Sequence, residues 1–243
     1  MLLAIDAGNS FVKLAFHDGA AWGMRARVSL KEFPEFAQGL REQQAPRTVM
    51  IANVAGDRFR LPMLDVLRQW NCGEHWIESK GEAYGIQNGY EQPGRLGVDR
   101  WAALIGANKL VGGPLMVVSV GTAVTIDLLD PPGRFTGGII IPGLELMQAS
   151  LAEKTVGIDG SPGEYSPRPT ATADAVKTGA LYAVTGAIEK AMARMPEAGR
   201  IPELILTGGG ASEVEPLLNV RCRLIPDLVL EGLLCIAREE KLL

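Results

Sequence analysis

The chain opens on a short apolar run, Leu2–Ile5, which ends at Asp6. A second apolar run, Phe11–Phe16, follows a brief polar interval. Short apolar runs bounded by turn-forming residues predict two strands joined by a tight turn at Asp6–Ser10. Val28–Gln43 reads as helical and Val49–Asn53 as a short strand. Arg58–Trp70, with apolar residues at helical spacing, reads as an amphipathic helix. His75–Ile77 reads as a further strand, Gly81–Leu96 as a loop rich in Gly, Pro and polar residues, and Val98–Leu110 as a helix. Gly112, Gly113 and Pro114 then stand in a row, and three breakers together mark a boundary between domains 1–112 and 113–243.

Beyond that boundary the opening pattern returns. Leu115–Val120 reads as a strand, Gly121–Thr122 as a turn and Ala123–Leu129 as a strand. Pro131–Gly133 turns the chain into Phe135–Ile141, which leads to a Gly-rich stretch. Asp159–Pro169 reads as a loop and Thr172–Met195 as a long helix with Thr172 as its N-cap. Leu204–Leu206 is a strand that runs into Thr207-Gly208-Gly209-Gly210. Ser212 and Glu215 have the spacing of a capping box that would start the next helix, and Asp227–Arg238 closes the chain as a helix. Gly8 in DAGNS and Gly121 in SVGTA hold equivalent places, so the two halves read as related α/β domains facing each other across a central cleft.

Composition narrows the function classes. Hydrophobic residues make up 47% of the 243 and charged residues 21%, which suits globular cores. The net charge of −4 and the lack of a basic stripe argue against nucleic acid as a partner. Cys72, Cys222 and Cys235 show no paired spacing, so neither a disulfide framework nor a zinc site is expected, and a reducing, cytoplasmic setting fits. His17 and His75 read as packed or surface residues. The N-terminus lacks a basic n-region, and Ser119, Gly121, Thr122, Thr125 and Asp127 interrupt the most apolar stretch, so no membrane segment is expected.

Three motifs carry chemistry. In DAGNSFVK, a carboxylate at a strand end (Asp6) can hold a hydrated Mg²⁺. Gly8 admits a phosphate close to the backbone, and the amides of Gly8, Asn9 and Ser10 can face its oxygens. The Ser10 hydroxyl adds a donor, and Lys13 can neutralise transferring charge. Alone, this motif is equally a polar hairpin turn. GTAVTID, Gly121–Asp127, supplies a second glycine–hydroxyl turn, so the pair can clamp a triphosphate from two sides. LTGGG, Leu206–Gly210, permits close approach to a flat nucleoside.

This order of motifs resembles the acetate and sugar kinase, heat-shock protein and actin superfamily, which implies two ribonuclease H-like, actin-like ATPase domains. DAGNSFVK, GVDR (Gly97–Arg100), GTAVTID and GGIIIPG (Gly137–Gly143) together resemble the type III pantothenate kinases, over residues 1 to about 210. The resemblance implies ATP-dependent phosphorylation of pantothenate to 4′-phosphopantothenate, the first step toward coenzyme A. By the same resemblance, Asp99 is the general base. Asp6, Ala7, Gly8, Asn9, Ser10, Phe11, Val12, Lys13 and Thr122 bind ATP, with Asp6 holding Mg²⁺ through water. Tyr90, Gly97, Val98, Asp99, Arg100 and Thr178 bind pantothenate. Read without the family, Asp99 is a carboxylate favouring a helix N-terminus.

Relatives are homodimers, and many carry an Asp that binds K⁺ where this chain has Ser119, so no K⁺ requirement, or a weak one, is expected. Two other functions remain open at this point: a kinase for another hydroxylated substrate, and a non-catalytic regulator of the same family. Asp6, Lys13, Asp99 and Thr122 are all intact, which speaks against the regulator.

Overall fold

The structure is a computed structural model that describes residues 1–194 and 201–243. The chain divides into two compact units: residues 1–112 with 227–243, and residues 113–226. The expected second domain ran to residue 243. Instead the C-terminal helix returns to the first unit, because its apolar face is complementary to that unit's sheet.

In the first unit, β1 (Leu2–Ala7) pairs antiparallel with β2 (Phe11–His17), and β2 pairs antiparallel with β3 (Trp22–Ser29). After α1 (Phe33–Leu40), β4 (Thr48–Asn53) lies parallel to β1. After α2 (Asp57–Trp70), β5 (Gly73–Trp76) lies parallel to β4. The sheet order is β3-β2-β1-β4-β5. Strand alternation divides the side chains between two faces. Leu3, Ile5, Val12, Leu14, Val49 and Ile51 form a core with Phe33, Phe59, Met63 and Val66 of α1 and α2.

A two-residue turn at Tyr84–Gly85, both with positive φ, joins β6 (Glu82–Ala83) to β7 (Ile86–Asn88). The opposite sheet face packs against α3 (Val98–Leu110) and α7 (Leu228–Glu239). These helices press backbone to backbone. A Cβ on Gly106 would lie 2.8 Å from the Leu228 carbonyl, and one on Gly232 would collide with the Ala102 carbonyl. Trp22 Nε1 donates to Glu231 Oε1 (2.8 Å) and the Thr48 hydroxyl to the Leu242 carbonyl (3.1 Å), which ties the returning segment to β3 and β4.

In the second unit, β8 (Leu115–Val120) and β9 (Ala123–Leu129) form a tight antiparallel hairpin, and β10 (Arg134–Pro142) pairs antiparallel with β9. Two helices follow, α4 (Leu144–Lys154) and α5 (Thr172–Arg194). β11 (Glu203–Thr207) lies parallel to β8 and, after the single turn α6 (Ala211–Val214), β12 (Cys222–Leu224) lies parallel to β11. Within this unit the order β12-β11-β8-β9-β10 reproduces the order and the parallel or antiparallel sense of the first sheet, strand for strand. Met116, Val118, Ile126, Leu181, Val184, Ile188, Leu204 and Leu206 form its core.

Several local expectations are corrected. The helix expected from Val28 begins only at Phe33, since Trp22–Ser29 completes a hairpin with β2, and the loop expected over 81–96 contains β6 and β7. The helix α4 follows directly on the Gly-rich stretch. Thr172 is the first residue of α5, and the expected end at Met195 lies outside the described residues. Ser212 lies inside α6, whose N-cap is Gly210, so no Ser212–Glu215 box forms.

Candidate active site

Asp6 and Lys13 sit directly opposite each other across the β1–β2 hairpin, on the sheet face that α3 and α7 cover. Directly opposed residues of an antiparallel pair have Cβ atoms about 4.5–5.5 Å apart. The helices bring two further carboxylates, Asp99 in the first turn of α3 and Asp227 at the start of α7. Burial, followed by repulsion from Asp99, pushes the Asp6 carboxyl up to about 7. Asp227 adds to that repulsion, and the Lys13 ammonium opposes it.

GVDR is a structural unit. Gly97 is the N-cap of α3, and its carbonyl accepts from the Trp101 amide (2.9 Å). The Asp99 carboxylate folds back so that Oδ1 accepts from the Arg100 amide (2.8 Å). A Cβ at residue 97 would stand 2.6 Å from that same oxygen. Gly97 therefore leaves the space in which the Asp99 carboxylate rests. Arg100 is buried, with its guanidinium 5.9 Å from the centre of the Tyr90 ring, an approach that suits cation–π attraction. Tyr90 is set in turn by Asn88: Asn88 Oδ1 accepts from the Tyr90 amide (3.0 Å), and Nδ2 donates to the carbonyls of Lys80 and Pro93 (both 3.1 Å).

The Asp6–Ser10 turn is narrower in its options than the sequence suggested. The Gly8 amide donates to the Phe11 carbonyl (3.0 Å), so it closes the turn. The side chains of Ala7 and Val12 are buried, which leaves only their backbone for a ligand. Phe11 carries the Arg27 guanidinium 3.6 Å from its ring centre.

In the second unit the Gly121 amide likewise donates back, to the Ala123 carbonyl (3.1 Å). Around this turn lies a cradle of glycines. The Gly143 amide donates to the Thr122 carbonyl (2.9 Å), and a Cβ on Gly143 would lie 2.6 Å from that carbonyl oxygen. Gly208, at φ 94°, and Gly210 press against Val120, and the Gly210 amide donates to the Val120 carbonyl (3.0 Å). Gly143, from GGIIIPG, and the glycines of LTGGG thus pack closely around the Gly121–Thr122 turn and the Val120 that leads into it. The Thr178 hydroxyl, buried on α5, donates to the Ser166 carbonyl and accepts from the Ser166 amide (both 3.1 Å). It anchors the loop ahead of α5.

A family model described as type III pantothenate kinase matches residues 2–194. The chain belongs to the type III pantothenate kinase family. A relative of that name from Nitrosospira multiformis is 40% identical over 240 residues, spanning 98% of this chain and 92% of its own. Another, from Dechloromonas aromatica, is 40% identical over 96% of this chain and 97% of its own. Two solved structures share the fold: a Campylobacter jejuni protein described as a Baf family transcriptional activator (TM-score 0.66, 21% identity, 99% and 100% of the two chains), and a Sinorhizobium meliloti protein described as a 2-dehydro-3-deoxygalactonokinase (TM-score 0.63, 15% identity, 100% of each).

For a type III pantothenate kinase, the first unit holds Asp6–Lys13, Tyr90 and Gly97–Arg100, and the second holds Thr122 and Thr178. A divalent cation fits the first set. A carboxyl whose proton is retained by burial and by negative neighbours is a place where a cation is favoured. Among the described residues no three His, Cys, Asp or Glu side chains cluster to hold a metal. Sequence reasoning missed Asp227, which pairs with Lys13 (3.1 Å), and Arg25, which pairs with Asp227 (2.8 Å). An Asp ahead of an apolar helix reads as a cap, and Arg25 falls in the strand that the pattern did not reveal. No helix among the described residues is long and apolar enough to cross a membrane.

Proposed function

We propose that this chain transfers the terminal phosphoryl group of ATP to the hydroxyl of pantothenate, in the cytoplasm and as a homodimer, giving 4′-phosphopantothenate. The observation that carries the reading is the seating of the Asp99 carboxylate over Gly97, on the unit that also sets Asp6 opposite Lys13. Asp99 accepts the proton of the attacking hydroxyl. The hydroxyl oxygen bonds to the terminal phosphorus, the bond to the bridging oxygen breaks, and ADP departs. Lys13 offsets charge on the phosphoryl oxygens. Asp6 would hold Mg²⁺ through water, and the ion's contribution is charge neutralisation on the phosphates.

ATP is served by Asp6–Lys13 and Thr122. Pantothenate is served by Tyr90, Gly97, Val98, Asp99, Arg100 and Thr178, with the Arg100 fork suited to a carboxylate. Ser119 offers only a hydroxyl, so the reading includes no need for K⁺, or a weak one. Exposed Ile139 and Ile140 on β10, Leu146 and Leu151 on α4 and Tyr182 on α5 give the second unit an apolar surface suited to a second copy. A non-catalytic regulator would have no use for the ionisable set of Asp6, Lys13 and Asp99.

A coupled ADP-release assay tests this. ADP is expected only when pantothenate is present, from protein sedimenting at twice the chain mass, at a rate kept when Na⁺ replaces K⁺ and NH₄⁺. Asp99→Asn is expected to be slower by a factor of about 10²–10⁴. A wild-type protein silent with pantothenate over a wide ATP range would sink the reading, and a fully active Asp99→Asn would remove the base.

A further inference from the structure

Asp227 breaks two local rules at once. It occupies the N-cap of α7, where an Asp side chain ordinarily accepts from the amides of the first turn, yet it makes no such bond. Its backbone stands at φ 51°, ψ 37°, in the left-handed region that a non-glycine residue enters only at a cost. In that conformation the carboxylate bridges two cations. Oδ1 lies 3.1 Å from Lys13 Nζ on β2, and Oδ2 lies 2.8 Å from Arg25 Nη1 on β3. The Lys13–Asp227 pair is part-buried and the Arg25–Asp227 pair exposed; water still reaches all three side chains and screens both pairs, so each contributes little to stability. A forfeited cap and a strained backbone are therefore not explained by a gain in folding energy.

Position is what the arrangement supplies. A lysine ammonium rides on a flexible four-carbon stem, and holding it in one place costs rotamer entropy. We propose that Asp227 is a positioning residue for phosphoryl transfer, fixing the Lys13 ammonium beside Asp6 before nucleotide arrives, with Arg25 bracing the carboxylate from its other oxygen. The ammonium has three donors, so one bond to Asp227 leaves two for phosphoryl oxygens. Arg25 also offsets the carboxylate's charge: two cations and one anion leave the trio with a net positive charge for an anionic substrate to meet. Asp6 lies within electrostatic reach of Lys13 and Asp227, and Asp99 within reach of Asp6.

This inference rests on the proposed assignment of Lys13 to the transferring phosphate. The test uses the intact protein with ATP, Mg²⁺ and pantothenate. It compares wild type, Asp227→Asn, Lys13→Met and the double variant by kcat, KM for pantothenate and Tm. Asparagine tolerates the left-handed backbone as aspartate does, so Asp227→Asn removes charge while keeping shape. We expect kcat to fall about tenfold in Asp227→Asn, because a displaced charge-stabilising group loses much of its effect. Its KM for pantothenate and its Tm should stay at the wild-type values. The double variant should be no slower than Lys13→Met, since Asp227 acts through Lys13.

Wild-type turnover in Asp227→Asn, beside a crippled Lys13→Met, would overturn this inference alone. So would a loss in the double variant equal to the product of the two single losses, or a kcat loss in Asp227→Asn that comes with a lowered Tm. Wild-type turnover in Lys13→Met would overturn the site assignment along with it.

Discussion

The hairpins β1–β2 and β8–β9 are the same object built twice. Each begins its sheet, each lies antiparallel, each turns at a glycine whose amide donates back across the turn, and each sits in the same strand order. Their chemistry has nevertheless parted. The first carries Asp6 and Lys13 in register, under helices that start with Asp99 and Asp227. The second is wrapped by Gly143, Gly208 and Gly210. Repeating a fold preserves the shape of a turn, while the side chains around it decide whether the turn manages charge or close backbone approach.

Substitutions can set the two turns apart. The largest effect is expected in the second. Gly208→Ala places a methyl group against the Val120 backbone, at a φ of 94° that alanine resists. Stability should fall by about 2–4 kcal/mol, visible as a lower denaturation midpoint, and an unchanged midpoint would mean that the cradle is loose. Gly97→Ala works differently, because its methyl group meets the movable end of Asp99. Turnover should fall about tenfold, or ~1.4 kcal/mol in activation energy, with stability held to within about 0.5 kcal/mol. A stability loss without a kcat loss would assign Gly97 to capping alone.

The third effect is a gain, and it depends on pH. The Asp6 carboxyl keeps its proton to about 7 in the folded chain, against 3.8 as its ordinary value. The folded state therefore binds the extra proton between those values, and that contribution is lost as pH rises through 7. Asp6→Asn cannot ionise. Without metal or nucleotide it should be more stable than wild type at pH 8 and indistinguishable from it below pH 4. Thermal melts at the two pH values read this directly, and an equal gain at both would assign the effect to packing.

What the sequence disclosed follows the range over which each feature is determined. The two hairpins were legible because an apolar run, a polar turn and a second apolar run are local signals. GVDR was legible as a helix start, but not as a carboxylate resting in the space of a missing Cβ. The strand β3 escaped because Arg25 and Arg27 interrupt its apolar character, as an edge strand tolerates. The helix α4 escaped because Leu146 and Leu151 stay exposed while only Leu144 is buried, so it shows no inward stripe. Asp227 escaped because its partners lie 214 and 202 residues away along the chain. No local pattern announces such a bridge.

The return of the C-terminal helix to the first unit also bears on how the protein is made. A chain synthesised from its N-terminus presents β1 and β4 early, yet α7, one of the two helices that cover one face of their sheet, is translated after the whole of the second unit. The second unit is contiguous and can collapse as it leaves the ribosome, whereas the first has only α3 over that face, where Leu2, Ala4 and Met50 lie, until α7 is made. The same late segment delivers Asp227, so a truncated translation product would carry the Asp6–Lys13 hairpin and Asp99 without the carboxylate that braces the lysine. The ionic site is thus assembled only once the start of α7 has been translated.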